Sequence, residues 1–187
     1  MRRLASLAAA ALVGAQVLAQ PTQTLPGQAP GSKSDWEREQ EERDFREAAV
    51  KLPPFFREED LIEFRAAPTT SFRFYVDRAS LSVGEDGVVR YTLVARSPQG
   101  AENVTYEGIR CKTGLYRVYA LGQRDRSWKP VNLDWRPTDK LWTRVLRSEY
   151  FCPMHRPIYT AAEGLDALRR GGHPERDNWG AGGTGVR

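Results

Sequence analysis

The sequence predicts an α+β domain, a small antiparallel β-sheet (a meander) covered on one face by a C-terminal helix, with a peripheral N-terminal helix. Three observations predict it. Between Leu61 and Leu121, short runs of alternating apolar and polar residues are separated by tight turn signals. Strands so closely linked pair antiparallel, because parallel pairs need long crossovers. Beyond Thr138 the apolar spacing becomes helical, and only two cysteines, Cys111 and Cys152, are present to staple the two parts together.

The chain begins with a basic Met1-Arg2-Arg3, a short apolar run from Leu4 to Val13, and small residues around Val17-Leu18-Ala19. This is the form of a signal peptide over residues 1–19, with an apolar stretch too short to span a bilayer. It predicts export to the periplasm, or secretion, and an oxidising compartment in which Cys111 and Cys152 form a disulfide. No cysteine stands at the cleavage point and no later run is long enough to cross a membrane, so no stable membrane anchor is expected. The charge, 28 basic against 24 acidic residues, gives no electrostatic case for nucleic acid. Arg2 and Arg3 would leave with the leader and bring the mature chain closer still to neutral.

Residues 20–34 are rich in Pro, Gln and Gly and read as a disordered linker. Residues 35–156 form the domain. Ser34 and Glu37 have the spacing of a capping box, and open a helix that is charged nearly all round, with Trp36, Phe45 and Ala49 as anchors. Lys51-Leu52-Pro53-Pro54 ends it. Leu61 to Phe64 and Phe72 to Asp77 are strands, the second with Phe72, Phe74 and Val76 on one face. Gly84-Glu85-Asp86-Gly87 is a turn. Val88 to Ser97 follows, with Val89, Tyr91, Leu93 and Ala95 on one side and Arg90, Thr92 and Arg96 on the other; Val94 breaks the pattern. Val104 to Cys111 and Leu115 to Leu121 complete the sheet, whose polar face is expected to meet solvent.

Thr138-Asp139 predicts the cap of a helix reaching about Tyr150, with Leu141, Trp142, Val145 and Leu146 on its apolar side. Residues 157–187 hold a second short helix from Thr160 to Arg170, a Gly171-Gly172 stop and a disordered Gly-rich tail. A disulfide closing a loop of roughly 40 residues is worth about 4 kcal/mol in the chain-entropy model.

Few residues suggest chemistry. Cys152-Pro153-Met154-His155 lacks the second cysteine of a redox motif. A zinc site from Cys111, Cys152 and His155 is the weaker alternative to a bridge. His155 and His173 are both expected at the surface, and His155 with Glu149 is the one candidate catalytic pair. No nucleophile elbow, HExxH, phosphate loop or dinucleotide fingerprint occurs, and no cofactor is expected. Acidic runs such as Glu58-Glu59-Asp60 read as solvated faces. Trp128, Trp135 and Arg136 lie in polar, proline-containing loops and are the candidate binding surface, with packing over the sheet edge as the alternative.

The run Phe74-Tyr75-Val76-Asp77, then Ser80 through Tyr91, and Asn103-Val104-Thr105-Tyr106-Glu107-Gly108-Ile109-Arg110-Cys111 closely resembles the CNP-one-like family. So do Leu52-Pro53, Trp128-Lys129-Pro130 and Tyr150-Phe151-Cys152-Pro153. The resemblance covers about Trp36 to Pro153 and implies an exported proteobacterial protein; it brings no catalytic residue to carry over. A weaker likeness, in the order of elements through Leu115-Tyr116-Arg117-Val118-Tyr119, is to surface-adhesin protein E-like domains. It implies a small sheet backed by helix and stapled by a disulfide. The function expected from all this is a non-enzymatic binding or envelope-accessory domain whose partner is an envelope protein or polymer. The alternative is an envelope hydrolase or transferase using His155.

Overall fold

The computed structural model describes residues 34–67 and 69–176. The leader, the linker up to Lys33 and the last eleven residues of the tail lie outside the described residues.

Helix α1 (Asp35–Asp44) is opened by the expected box. Ser34 N–H donates to Glu37 Oε2 at 2.7 Å, and Glu37 N–H returns a bond to Ser34 Oγ at 3.2 Å. The helix has almost no apolar stripe to bury, and Trp36 is 64% exposed. The helix expected to reach Val50 stops at Asp44, because Phe45 turns to extended backbone and packs against Arg110 and Trp135, and from Phe45 to Arg57 the chain runs on without regular structure.

The sheet is an antiparallel meander: β1 (Leu61–Phe64), β2 (Arg73–Val83), β3 (Val88–Arg96), β4 (Glu102–Arg110), β5 (Leu115–Gly122) and β6 (Trp128–Pro130), in that order. A two-residue strand, β7 (Arg136–Pro137), pairs with the start of β5 while β6 pairs with its end. The β2–β3 turn needs Gly87, whose φ of 71° favours glycine. Strand β2 shifts register between Asp77 and Ser82. There the Ser80 hydroxyl takes over from the ladder, donating to Asp77 O at 2.9 Å and accepting from Thr92 N–H at 2.8 Å.

Helix α2 (Leu141–Val145) begins at Lys140 with no side-chain cap, two residues later than Thr138-Asp139 predicts. It widens into a π-helical segment, Leu146–Phe151. Phe151 packs on Tyr91 with centroids 5.4 Å apart, Tyr150 on Phe64 at 5.7 Å, and Trp142 stacks on Phe74 at 5.6 Å. The Cys111–Cys152 disulfide joins the end of β4 to the residue after this segment, across 41 positions of sequence. Helix α3 (Ala161–Arg170) is capped by Thr160 and stopped by Gly171 at φ 75°, as the sequence predicts.

The expectation for the second face is overturned. The second face of the sheet is not left to solvent. The segment from Phe45 to Phe56, called the strap below, lies across it and buries Phe56 with Tyr75, Val94 and Val104. Val50 and Trp128 cover Tyr106, Tyr119 and Ala120. Val94 is therefore no exception: β3 is buried on both sides, and both its apolar faces have cover.

Candidate functional site

Where the strap leaves α1 it crosses the end of the sheet beside the β2–β3 and β4–β5 turns. Together with the residues after the disulfide these enclose an open cleft of about 370 Å³, lined by Phe45, Glu85, Gly87, Arg110, Lys112 and Pro157 among others. The Arg110 guanidinium lies 3.6 Å from the centroid of the Phe45 ring and 5.5 Å from that of Trp135, and Trp135 meets Phe45 edge-on at 6.0 Å. A cation held between two rings gives this wall a fixed shape. Glu85 and Lys112, both exposed, form no ion pair among the described residues, so the rim carries solvent-facing charge of both signs.

Behind the cleft a charged network ties strap to sheet. Asp86 receives Arg90 Nη2 at 2.5 Å, Ala48 N–H at 2.8 Å and Val88 N–H at 3.2 Å. Burial alone would raise its carboxyl; the guanidinium and the two backbone donors hold it below the ordinary 3.8. Glu47 accepts from Arg117 Nη1 and from the Tyr119 hydroxyl, both at 2.7 Å. A second cleft of about 440 Å³ opens beside this pair, along Val50, Leu52, Pro130 and Val131.

On the opposite face Glu107 sits in the apolar core with no cationic partner, accepting from the Thr105 hydroxyl at 2.7 Å and the Tyr91 hydroxyl at 2.9 Å. Burial pushes its carboxyl above the ordinary 4.5, and the two hydroxyls, with the Trp142 indole beside them, only partly offset that.

The sequence-predicted residues are distributed as follows. Cys111 and Cys152 are bonded to each other. Trp128 is half-buried, packs on Phe55 at 5.1 Å and donates its indole N–H to Pro53 O at 2.9 Å, clamping the strap. Trp135 backs the cleft through Phe45 and Arg110, and Arg136 is exposed in β7. The structure thus separates Trp128 from Trp135 and brings only Trp135 to the cleft. His155 and Glu149 have different partners: His155 Nδ1 lies 3.1 Å from Arg147 Nη2, while the Glu149 carboxylate meets Arg176 at 3.3 Å. His173, expected at the surface, is buried between α3 and the π-helical segment. The acidic run Glu58-Glu59-Asp60 is answered by arginines, Asp60 by Arg78 at 2.7 Å and Arg57 at 2.8 Å. Among the described residues no group of three His, Cys, Asp or Glu is placed to hold a metal, and no helix is long and apolar enough to cross a membrane.

The residues missed from sequence are Phe45, Glu47, Arg90, Arg110 and Arg117. One signal for them was present. Tyr75, Val94, Val104 and Tyr106 are apolar on the nominally polar face, which requires a second cover, and the aromatic Phe45 and Phe55-Phe56 upstream are the chain available to supply it.

Residues 40–169 match the CNP1-like family. The chain is 29% identical over 111 residues to cryptic neisserial protein 1 of Neisseria gonorrhoeae, an alignment covering 51% of this chain and 55% of that protein. It therefore spans about half the length of the curated relative it matches. No solved structure matches. The family match takes in every strand, the disulfide, the whole strap and most of α3, and the chain belongs to the CNP1-like family.

Proposed function

We propose that this chain is an exported, non-enzymatic accessory of the cell envelope that binds a protein or polymer of that compartment, and that the cleft at the end of the sheet is its binding site. The observation that carries the reading is the construction of that cleft. Two hairpin turns, the disulfide and the Phe45–Arg110–Trp135 stack fix its walls, while exposed Glu85 and Lys112 stand at its rim. A rigid, mixed-charge cleft with an aromatic wall suits recognition of a polar partner. The groups with the most unusual settings point elsewhere: Glu107 into the core, Asp86 onto Arg90, His173 onto Glu163. That arrangement supports binding over turnover.

The test is a heteronuclear NMR titration of the chain starting at Gln20, oxidised, with soluble peptidoglycan fragments and, separately, with soluble proteins extracted from the cell envelope. Chemical-shift changes centred on Phe45, Glu85 to Gly87, Lys112 and Trp135 are expected with one of the probes. No change with either, or changes centred on His155 together with chemical conversion of a fragment, would overturn the proposal.

A further inference from the structure

His173 is the most completely engaged titratable side chain outside the cleft, and both of its ring nitrogens are spoken for by different parts of the chain. The Glu175 backbone N–H donates to Nδ1 at 3.0 Å. A backbone amide can only donate, so Nδ1 must carry a lone pair and the proton sits on Nε2. Nε2–H in turn faces Glu163 Oε1 of α3 at 2.9 Å. Glu163 is fixed by its own bonds, accepting Tyr159 N–H on Oε2 at 2.6 Å while its backbone N–H donates to Thr160 Oγ1 at 3.2 Å. The His173 N–H closes on Glu149 O of the π-helical segment at 2.6 Å. The neutral ring with its proton on Nε2 is the only form that satisfies every one of these contacts.

We infer that His173 is a proton-operated latch on the turn into the C-terminal tail: the neutral ring holds the Glu175 amide and the charged ring lets that amide go, while the Arg156–Glu175 and Arg176–Glu149 ion pairs keep the segment Pro174–Arg176 on the body of the protein. Histidine is the side chain that ordinarily changes charge between pH 5 and 8. A second proton would have to go on Nδ1, where it would meet the Glu175 N–H donor to donor. That contact breaks. The Nε2–H bond to Glu163 survives and becomes charge-assisted, so the ring stays docked on α3 while the Glu175 amide loses its acceptor and the turn around it loosens.

Charged groups from several elements surround the ring. Glu163 faces the ring from α3, Glu149 belongs to the π-helical segment, and Glu175 lies on the latch itself. Against them stand Arg156 from the turn before α3, 2.5 Å from Glu175 and 3.9 Å from Glu163 and stacked 4.4 Å over Tyr159, and Arg176, 3.3 Å from Glu149. Charging the ring breaks one contact, the Glu175 N–H on Nδ1, and leaves these ion pairs in place. For an exported chain, ambient acidity is the natural input to such a device.

The test is a pH titration of the full mature chain by NMR, following the His173 ring nitrogens and the Glu175 amide between pH 8 and pH 5. The expected result is a shift of the Glu175 amide, with about a tenfold loss of exchange protection, the scale of one neutral hydrogen bond, at the same midpoint as the ring. Amides of Ala167 and Leu168 should stay protected, which separates release from unfolding. In His173→Asn the amide oxygen replaces the Nδ1 lone pair and cannot titrate, so Glu175 should remain protected to pH 5; His155→Ala should leave the step in place. A ring that titrates without moving the Glu175 amide, or an identical step in His173→Asn, would overturn the latch. Should that variant not fold, the coincidence or separation of the two midpoints in the native chain decides by itself.

Discussion

On the helix side of the sheet Phe74, Tyr91 and Ile109 meet Trp142, Leu146 and Phe151, and the closure is completed by a covalent bond, Cys111–Cys152. On the strap side the same strands present Arg90, Arg117 and Tyr119, and what closes over them is an irregular segment held by Glu47, by the Asp86 contact to Ala48 N–H and by the Trp128 indole. Apolar area, worth about 25 cal/mol per Å², dominates the first closure; directional and charged contacts carry much of the second. The strands hold their geometry from both sides, but the two covers should respond to different insults. A reductant threatens the helix side. Acid threatens the strap.

The largest expected effect is on the helix side. Replacing Cys111 and Cys152 together with serine should cost about 4 kcal/mol, the chain-entropy value for a closure across 41 residues. Denaturant unfolding of the variant and of the oxidised parent at low and at high salt checks it. The loss should be the same at both, because nothing in a disulfide or an apolar contact is screened by ions. A loss that shrinks with salt would mean that the two covers are not chemically distinct.

Arg90→Ala should cost somewhat less, about 3 kcal/mol near pH 7, because it leaves Asp86 buried with only the Ala48 and Val88 amides to hold it. The pH dependence has a definite sign. Asp86 titrates lower in the folded chain than in the unfolded one, so its contribution is present above pH 3.8 and is lost as pH falls through the depressed folded value. The penalty of Arg90→Ala should therefore shrink on acidification. Hydrogen exchange should show the opening confined to the strap, with amides of β3 and α3 still protected. A uniform loss of protection would show that strap and sheet unfold as one unit.

The same contrast explains what could be read from the sequence. The helix side was legible because its information is periodic: Val89, Tyr91, Leu93 and Ala95 recur every second residue, and Thr160 with Gly171 brackets α3 by local capping chemistry. The disulfide followed from there being only two cysteines. The strap was not legible because its partners are remote and it has no period. Glu47 finds Arg117 and Tyr119 some seventy positions away, and no local rule links them. Of the two readings the sequence allowed for Trp128, an exposed anchor or a cover over the sheet edge, the structure bears out the cover, and the carbonyl at Pro53 that takes its indole N–H lies too far off in sequence for local signals to name it. The widening of α2 into a π-helical segment left no sequence mark, and the burial of His173 depends on that segment offering it the Glu149 carbonyl.

The smallest expected effect is a gain, and it lies in the one polar group of the helix side. Glu107 has hydroxyl donors but no cation, so its folded carboxyl titrates above the ordinary 4.5. A group shifted this way stabilises the fold fully below its unfolded value, and that contribution is lost as pH rises through the folded value. At pH 8 the folded chain therefore carries either a buried unpaired carboxylate or the cost of keeping it protonated. Glu107→Gln keeps an acceptor oxygen for one of the two hydroxyls, offers its NH2 to the other, which can turn to accept, and removes the charge. It should stabilise the protein by about 1–2 kcal/mol at pH 8 and by almost nothing at pH 4, the opposite trend to that of the Asp86–Arg90 pair across the sheet. Thermal unfolding of the variant and the parent at the two pH values measures this. A loss of stability at pH 8 would show that the ionised carboxylate is held by its Thr105, Tyr91 and Trp142 donors strongly enough to outweigh its burial, and that the helix side depends on charge as the strap side does.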